Sequence, residues 1–390
     1  MAASHAARRR SHAERRRRWP WAVAGSALVV LAVVAAAGLW QASGLIGDAV
    51  RAGQPDPVFP LVVSSVDAAG LRYSGSTGGR DDQGLMGIAT TGGGYVQTAD
   101  PVVSATGTSR TITGQVVAPP PEPGEAAALD AWYFPRDPRI GLGLEFEEVT
   151  YDAPGGPAPA WLVPGTSSTW VVFVHGRGAT PAEGLRIAET VSGLGNPMLL
   201  VRYRDDARAP QGDGYAGFGA DEWTDLEAAV RFALDGGAGR IVLASAGSGG
   251  SIVLAFLQNS PLADRIVGAF LDSPVTDLGR AVRLTADDLG MPAFVAGPAL
   301  RVAAWRYGLD LEAADHVADA ASLRTPILIV HGTADRTVPA AVSEEFAAAA
   351  PPGLVDLVLF DGAGHGLSWN SDPDRYRALL AGFLQQVAPG

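Results

Sequence analysis

From about residue 165 onward the chain alternates two hydrophobic periods, and this pattern constrains the fold more than any other feature. Apolar runs of strand length fall at 169–174 (TWVVFV), 198–202 (MLLVR), 240–244 (RIVLA), 266–271 (IVGAFL), 326–330 (PILIV) and 356–360 (DLVLF). Nearly continuous apolar strands require burial on both faces, as in a parallel sheet covered by helices. Helical periods lie between them. In ADEWTDLEAAVRFALDGG, residues Leu226, Val230, Ala233 and Leu234 share one face, and Gly236-Gly237 stops the helix. A last helix at about 374–387 carries Tyr376, Leu379, Leu380 and Phe383. The pattern predicts a doubly wound, mostly parallel α/β sheet, whose sites gather at the carboxyl ends of strands.

Four motifs sit at those ends. HGRG (175–178) follows the first run. The third run leads into RIVLASAGSGGSIVLAFL (240–257), a strand, a glycine turn and a helix. HGTADRTVP (331–339) follows the fifth run and DGAGHGLSWN (361–370) the sixth. In this order of glycine turn, Asp and His, the chain resembles the α/β-hydrolase family over about residues 140–390, and its membrane-anchored, extracytoplasmic bacterial members in particular. The resemblance implies acyl transfer to water through a Ser-Asp-His triad, with no metal and no cofactor. It implies that His365 is the general base, because an imidazole must take the proton of a hydroxyl nucleophile near neutral pH. Asp335 matches the acid that orients the imidazole and stabilises its protonated form. HGRG matches the loop that supplies an oxyanion donor, the Arg177 backbone N–H, with a second from Gly249. His175 and His331 read as braces for their loops, and His316 has no motif around it. Arg202, Arg204, Asp205 and Asp206 lie at or just past the end of the second run and read as a structural ion-pair cluster, with contact to substrate as the alternative.

The nucleophile is ambiguous. The family turn is small-x-Ser-x-Gly, since only small neighbours fit beneath the strained tip. Aligned without gaps, the tip is Gly247, which takes the required backbone without strain but attacks nothing. Shifted by one residue, Ala246-Gly247-Ser248-Gly249-Gly250 also fits, and Ser248 becomes the tip at a helix N-terminus. Ser245 and Ser251 read as structural. Two functions therefore stand side by side, with a third behind them, a hydrolase in which Asp335 and His365 deliver water directly without a covalent step, for which nothing in the sequence supplies the positioning. One is a membrane-anchored serine hydrolase of ester or amide bonds, with Ser248, His365 and Asp335 as its triad. The other is a non-catalytic binding protein of the same fold, with Gly247 at the nucleophile position.

The N-terminus sets the location. Residues 1–18 hold seven Arg and one Glu and read as a cytoplasmic tail. Residues 19–40 (WPWAVAGSALVVLAVVAAAGLW) carry no charge, and about 20 helical residues span a bilayer core. Trp19, Trp21 and Trp40 stand where interfacial aromatics belong, with the Arg run on the inner side. A cleaved signal peptide is the rival reading, with Ala35-Ala36-Ala37 as the small-residue site. Either way the body lies across the membrane. Residues 41–57 read as a tether, 58–118 as a small β-rich domain, 119–145 as a Pro-rich connector and 146–390 as the hydrolase domain. A cap is expected at about 275–322, where Met291, Phe294 and Trp305 line a pocket or join the core. Beyond residue 18 the chain has 22 Arg against 40 acidic residues, a balance that argues against nucleic-acid binding. There is no cysteine, so disulfides, thiol nucleophiles and Cys-ligated metals are excluded.

Overall fold

The computed structural model describes residues 32–67, 70–76, 83–104 and 107–389. Most of the segment read as membrane-crossing lies outside these residues. Its end is helical from residue 32 and continues without a break to residue 49 as α1. Among the described residues no helix is long and apolar enough to cross a membrane.

A closed barrel comes next. It is built from β1 (Leu61–Val66), β2 (Gly70–Gly75), β3 (Met86–Thr90), β4 (Tyr95–Ser104), β5 (Gly107–Val117) and β6 (Ala126–Asp130), in the spatial order β1-β2-β5-β4-β3-β6. The strand that closes it, β6, comes from the stretch read as a connector and pairs with both β1 and β3. Its sequence, AAALD, lacks the β-branched residues that mark a strand, so partners and not propensity make it one. After α2 (Pro138–Leu142), β7 (Glu147–Ala153) and β8 (Gly156–Val163) form an antiparallel hairpin that enters the main sheet.

The six apolar runs become β9 (Thr169–Val174), β10 (Met198–Val201), β11 (Arg240–Ala246), β12 (Ile266–Asp272), β13 (Ile327–Gly332) and β14 (Val355–Phe360). They pair in parallel within one eight-stranded sheet of order β14-β13-β12-β11-β9-β10-β8-β7. Alternate residues of one strand feed opposite cores: Val172 and Leu243 pack with Leu226 and Val230, while Val171 and Val242 pack with Leu185 and Leu380. Helices cover both faces: α3 (Leu185–Gly193), α4 (Trp223–Asp235), α5 (Gly249–Asn259), α6 (Leu278–Asp288), α7 (Ala293–Tyr307), α8 (Ala341–Ala349), α9 (Ser368–Ser371) and α10 (Pro373–Val387).

Helices α6 and α7 lie between β12 and β13 and form the cap. The start of the predicted tether, residues 41–49, is part of α1 and is docked on that cap. Ile46 and Val50 join the core of Val275, Leu278 and Ala281. Gly47 lies against the Tyr307 ring so closely that a Cβ would stand 2.2 Å from it. Arg306 stacks on the Trp40 ring at 3.7 Å and donates to the Trp40 carbonyl at 2.8 Å. Spacing along the sequence carries no trace of this docking, because the partners are some 260 residues apart. Met291 lines the pocket beneath the cap, whereas Phe294 and Trp305 face outward and join neither pocket nor core.

Candidate active site

The strand β11 ends at Ala246, and Gly247 forms the turn with φ of +52°. Ser248 is already helical, with φ of −66°, at the cap position of α5. The gapless register is therefore the one the chain adopts. The left-handed position falls to glycine, for which it carries no Cβ penalty. Ser248 stands one step beyond the tip, at the helix N-terminus. A Cβ built on Gly247 would lie 3.4 Å from His365 Nε2, so the apex faces the imidazole.

Gly249 has a different reason to be glycine. A Cβ there would come within 2.3 Å of the Val174 carbonyl oxygen, at the end of β9. Gly249→Ala is expected to destabilise the fold by about 1–3 kcal/mol, the range for overpacking a close-packed site. Urea unfolding measures it. A loss below about 0.5 kcal/mol, typical of surface changes, would show that the end of β9 yields freely.

The imidazole is firmly oriented. His365 Nδ1 donates to Asp335 Oδ2 at 2.7 Å, which leaves the Nε2 lone pair toward the apex. Burial alone would lower the His365 pKa, but the hydrogen bond and charge of Asp335 outweigh it and hold it above the ordinary histidine value. Burial likewise opposes ionisation of Asp335. Hydrogen bonds from His331 and His365, the His365 charge and the Val338 N–H reverse this and keep the carboxyl well below the usual carboxylate range. Its other oxygen accepts from the Thr337 and Val338 N–H groups at 2.9 and 2.8 Å. His331 Nε2 bonds the Val338 carbonyl at 2.8 Å, so Nε2 carries its proton and Nδ1 accepts from Ser343. His331 thus braces the Asp335 loop.

The HGRG loop meets the elbow from the other side. The Arg177 N–H donates to Ser248 Oγ at 2.7 Å. Among the described residues no hydrogen bond joins that hydroxyl to His365. With the apex at Gly247, the N–H that follows it belongs to Ser248, and Gly249 sits one residue too deep for the part expected of it. His175 is buried, bonds Asp206 at 2.8 Å and stacks on Tyr203. Arg204 is paired with Asp225 at 2.7 Å. Asp205 accepts from the Gly212 N–H, and the Arg202 guanidinium lies over the Trp161 ring. These residues hold loops. Ser251 donates to the Val275 carbonyl, and Ser245 is buried beneath the turn.

Sequence reasoning missed two supporting residues. Glu183 accepts the Gly176 N–H at 2.8 Å and so fixes the HGRG loop. Arg186, buried, donates to the Gly366 carbonyl next to His365. Both lie at the start of the segment after β9, where a Glu and an Arg are unremarkable on a helix.

Gly247, Ser248, His365 and Arg177 share one pocket of about 650 Å³. Its walls are largely apolar: Val275, Leu278 and Val282 on the cap side, and Leu45, Ile46 and Val50 at the end of α1. Among the described residues no cluster of His, Asp or Glu could hold a metal ion. A solved esterase from Pyrococcus furiosus superposes on 65% of this chain and 97% of its own, with a TM-score of 0.52 and 17% identity. The chain has the α/β-hydrolase fold. An esterase from a Rhodococcus species resembles this chain less closely, with a TM-score of 0.47 and 17% identity over 62% of this chain and 99% of the other. The family model described as "Serine aminopeptidase, S33" matches residues 293–372, which hold Asp335 and His365 but not the elbow. No curated protein matches the chain.

Proposed function

We propose that this chain is a membrane-anchored, extracytoplasmic acyl hydrolase in which water attacks at the place a serine hydroxyl would occupy. One observation carries the reading: the apex toward His365 Nε2 is Gly247, so the place of a serine side chain's Cβ, 3.4 Å from that nitrogen, is left without a side chain. His365 Nε2 takes a proton from the water as its oxygen bonds to the carbonyl carbon. The Ser248 N–H and the Ser248 hydroxyl, itself held by the Arg177 N–H, face the developing oxyanion. The imidazolium, stabilised by Asp335, then gives the proton to the leaving oxygen or nitrogen as that bond breaks. Acid and alcohol, or acid and amine, are released. The apolar walls of the pocket favour an apolar acyl chain. The anchor rests on the uncharged run 19–40, its terminal tryptophans and the Arg run before it.

A second reading keeps Ser248 as the nucleophile of a Ser-Asp-His triad. In its favour, Ser248 lines the same pocket as His365 at the N-terminus of α5. It requires the hydroxyl to leave Arg177 and turn to the imidazole. Hydrolysis of para-nitrophenyl butyrate separates the readings. On the water route His365→Ala abolishes turnover, Ser248→Ala lowers it by no more than about 10²–10³-fold, the scale of one oxyanion donor, and a fluorophosphonate leaves the protein unlabelled. Labelling that disappears in Ser248→Ala establishes the triad instead. Absence of any turnover above the solvent rate sinks both and leaves a ligand-binding pocket.

A further inference from the structure

The catalytic pocket opens beside the anchor helix. Ala42, Leu45, Ile46 and Ala49 line it, and they recur at the i, i+3, i+4, i+7 spacing of one helix face. These residues lie two to nine positions beyond Trp40, the outer interfacial tryptophan on the anchor reading. At 1.5 Å per residue that is about 3–14 Å along the axis. On the anchor reading, a pocket walled by this part of α1 lies at the bilayer surface.

The mouth has the right chemistry for that place. Leu45 and Leu289 line the pocket and are still 64% and 76% exposed, so they form an apolar rim. Next to it runs α7. Phe294, Arg301 and Trp305 lie seven and four residues apart, hence on one face of that helix, and all three are exposed. Phe294 and Trp305 are each 78% exposed, a costly arrangement for two large aromatics in water. An aromatic–cation–aromatic face is the composition of a helix lying in a lipid interface, with the guanidinium at headgroup phosphates. The same helix is tied to α1 by Arg306, which stacks on Trp40.

We infer that the rim at Leu45 and Leu289 and the outer face of α7 rest on the lipid bilayer, and that the substrate is an acyl chain of a membrane lipid entering sideways between α1 and the cap. This deepens the proposed function and rests on its anchor and hydrolase readings. Soluble esters reach the pocket without the α7 face, whereas a bilayer lipid must pass the rim. The acidic body adds no attraction to anionic headgroups, so apolar insertion supplies most of the docking.

The test uses the full chain reconstituted in phosphatidylcholine vesicles. Because the chain has no cysteine, Phe294→Cys gives one attachment point for an environment-sensitive dye, with Val103→Cys, exposed on the barrel, as the control. Dye at position 294 is expected to shift its emission to the blue and to be quenched by brominated lipid, and dye at 103 to do neither. In parallel, the double variant Phe294→Ser, Trp305→Ser is expected to slow hydrolysis of a fluorogenic long-chain phosphatidylcholine in the vesicles by about ten-fold or more, equivalent to ~1.4 kcal/mol. Its hydrolysis of para-nitrophenyl butyrate should change less than about two-fold, the scatter of a surface substitution. Dye at 294 that stays in water, or equal losses on both substrates, overturns the inference. Inserted dye with no turnover of either ester sinks the hydrolase reading and leaves the lipid-docked surface standing. A chain that does not stay with the vesicles defeats the anchor and the inference together.

Discussion

Gly247→Ser is expected to raise ester turnover by about 10²–10⁴-fold over the natural protein. The upper end is set by what a complete triad adds beyond the oxyanion hole and binding alone. The structure provides the space. The new Cβ would meet His365 Nε2 at 3.4 Å and Gly176 Cα at 3.8 Å, both ordinary contacts. The hydroxyl would then stand between Nε2 and the Ser248 N–H. A fluorophosphonate should label this variant whether or not it labels the natural protein. The backbone charges a penalty, since a non-glycine residue at φ of +52° costs roughly 1–2 kcal/mol. Melting should therefore fall slightly while activity rises. Unchanged turnover in a folded variant would mean that His365 is not a competent base, and the water route would fall with it.

Asp335→Asn is expected to lower turnover by up to about 10⁴-fold, the cost of a misoriented or wrongly protonated imidazole. Asp335 Oδ2 accepts from His365 Nδ1, and an amide nitrogen turned to that place cannot. The pH profile carries the sign. His365 must be neutral to act as a base, so kcat/KM rises with pH through its pKa. Asp335 holds that pKa above the ordinary value of about 6.5, so the natural protein's acid limb lies above it. In Asp335→Asn the burial that lowers the pKa is no longer offset, and the limb moves to lower pH. Proton NMR titration of the His365 ring measures the same shift without turnover. There is also a stability consequence. Asp335 has a depressed folded pKa, so its contribution is full above its unfolded value near ~4 and is lost as pH falls below that. A limb that stays in place would show that some other group sets the imidazole's charge.

The sheet was legible because its signal is repeated and local. Each of the six parallel strands is an apolar run bounded by turn residues, five of them largely buried and the edge strand β14 half-buried, and four of them end in a motif that the fold brings to one edge. Asp335 and His365 were legible for the same reason. They sit in loops after consecutive strands of a parallel sheet, and parallel neighbours deliver their carboxyl ends side by side. The barrel was only half legible. β6 has the composition of a connector and becomes a strand because β1 and β3 offer unpaired backbone on either side. Glu183 and Arg186 were invisible, because their partners are backbone groups of distant loops.

The amino-acid order alone settled the α/β layering, the positions of the His and Asp loops and the glycine–serine composition of the turn. It did not settle which of two adjacent residues stands at the tip. Both registers satisfy the same local pattern, and the choice is made by where β11 leaves the sheet. The Gly247 N–H bonds the Asp272 carbonyl of β12 at 2.8 Å, and Gly249 is pressed against the end of β9. Only the neighbouring strands supply those constraints. The same holds for α1: its apolar run is plain in the sequence, but a helix face has no address until the cap, some 260 residues later, folds against it.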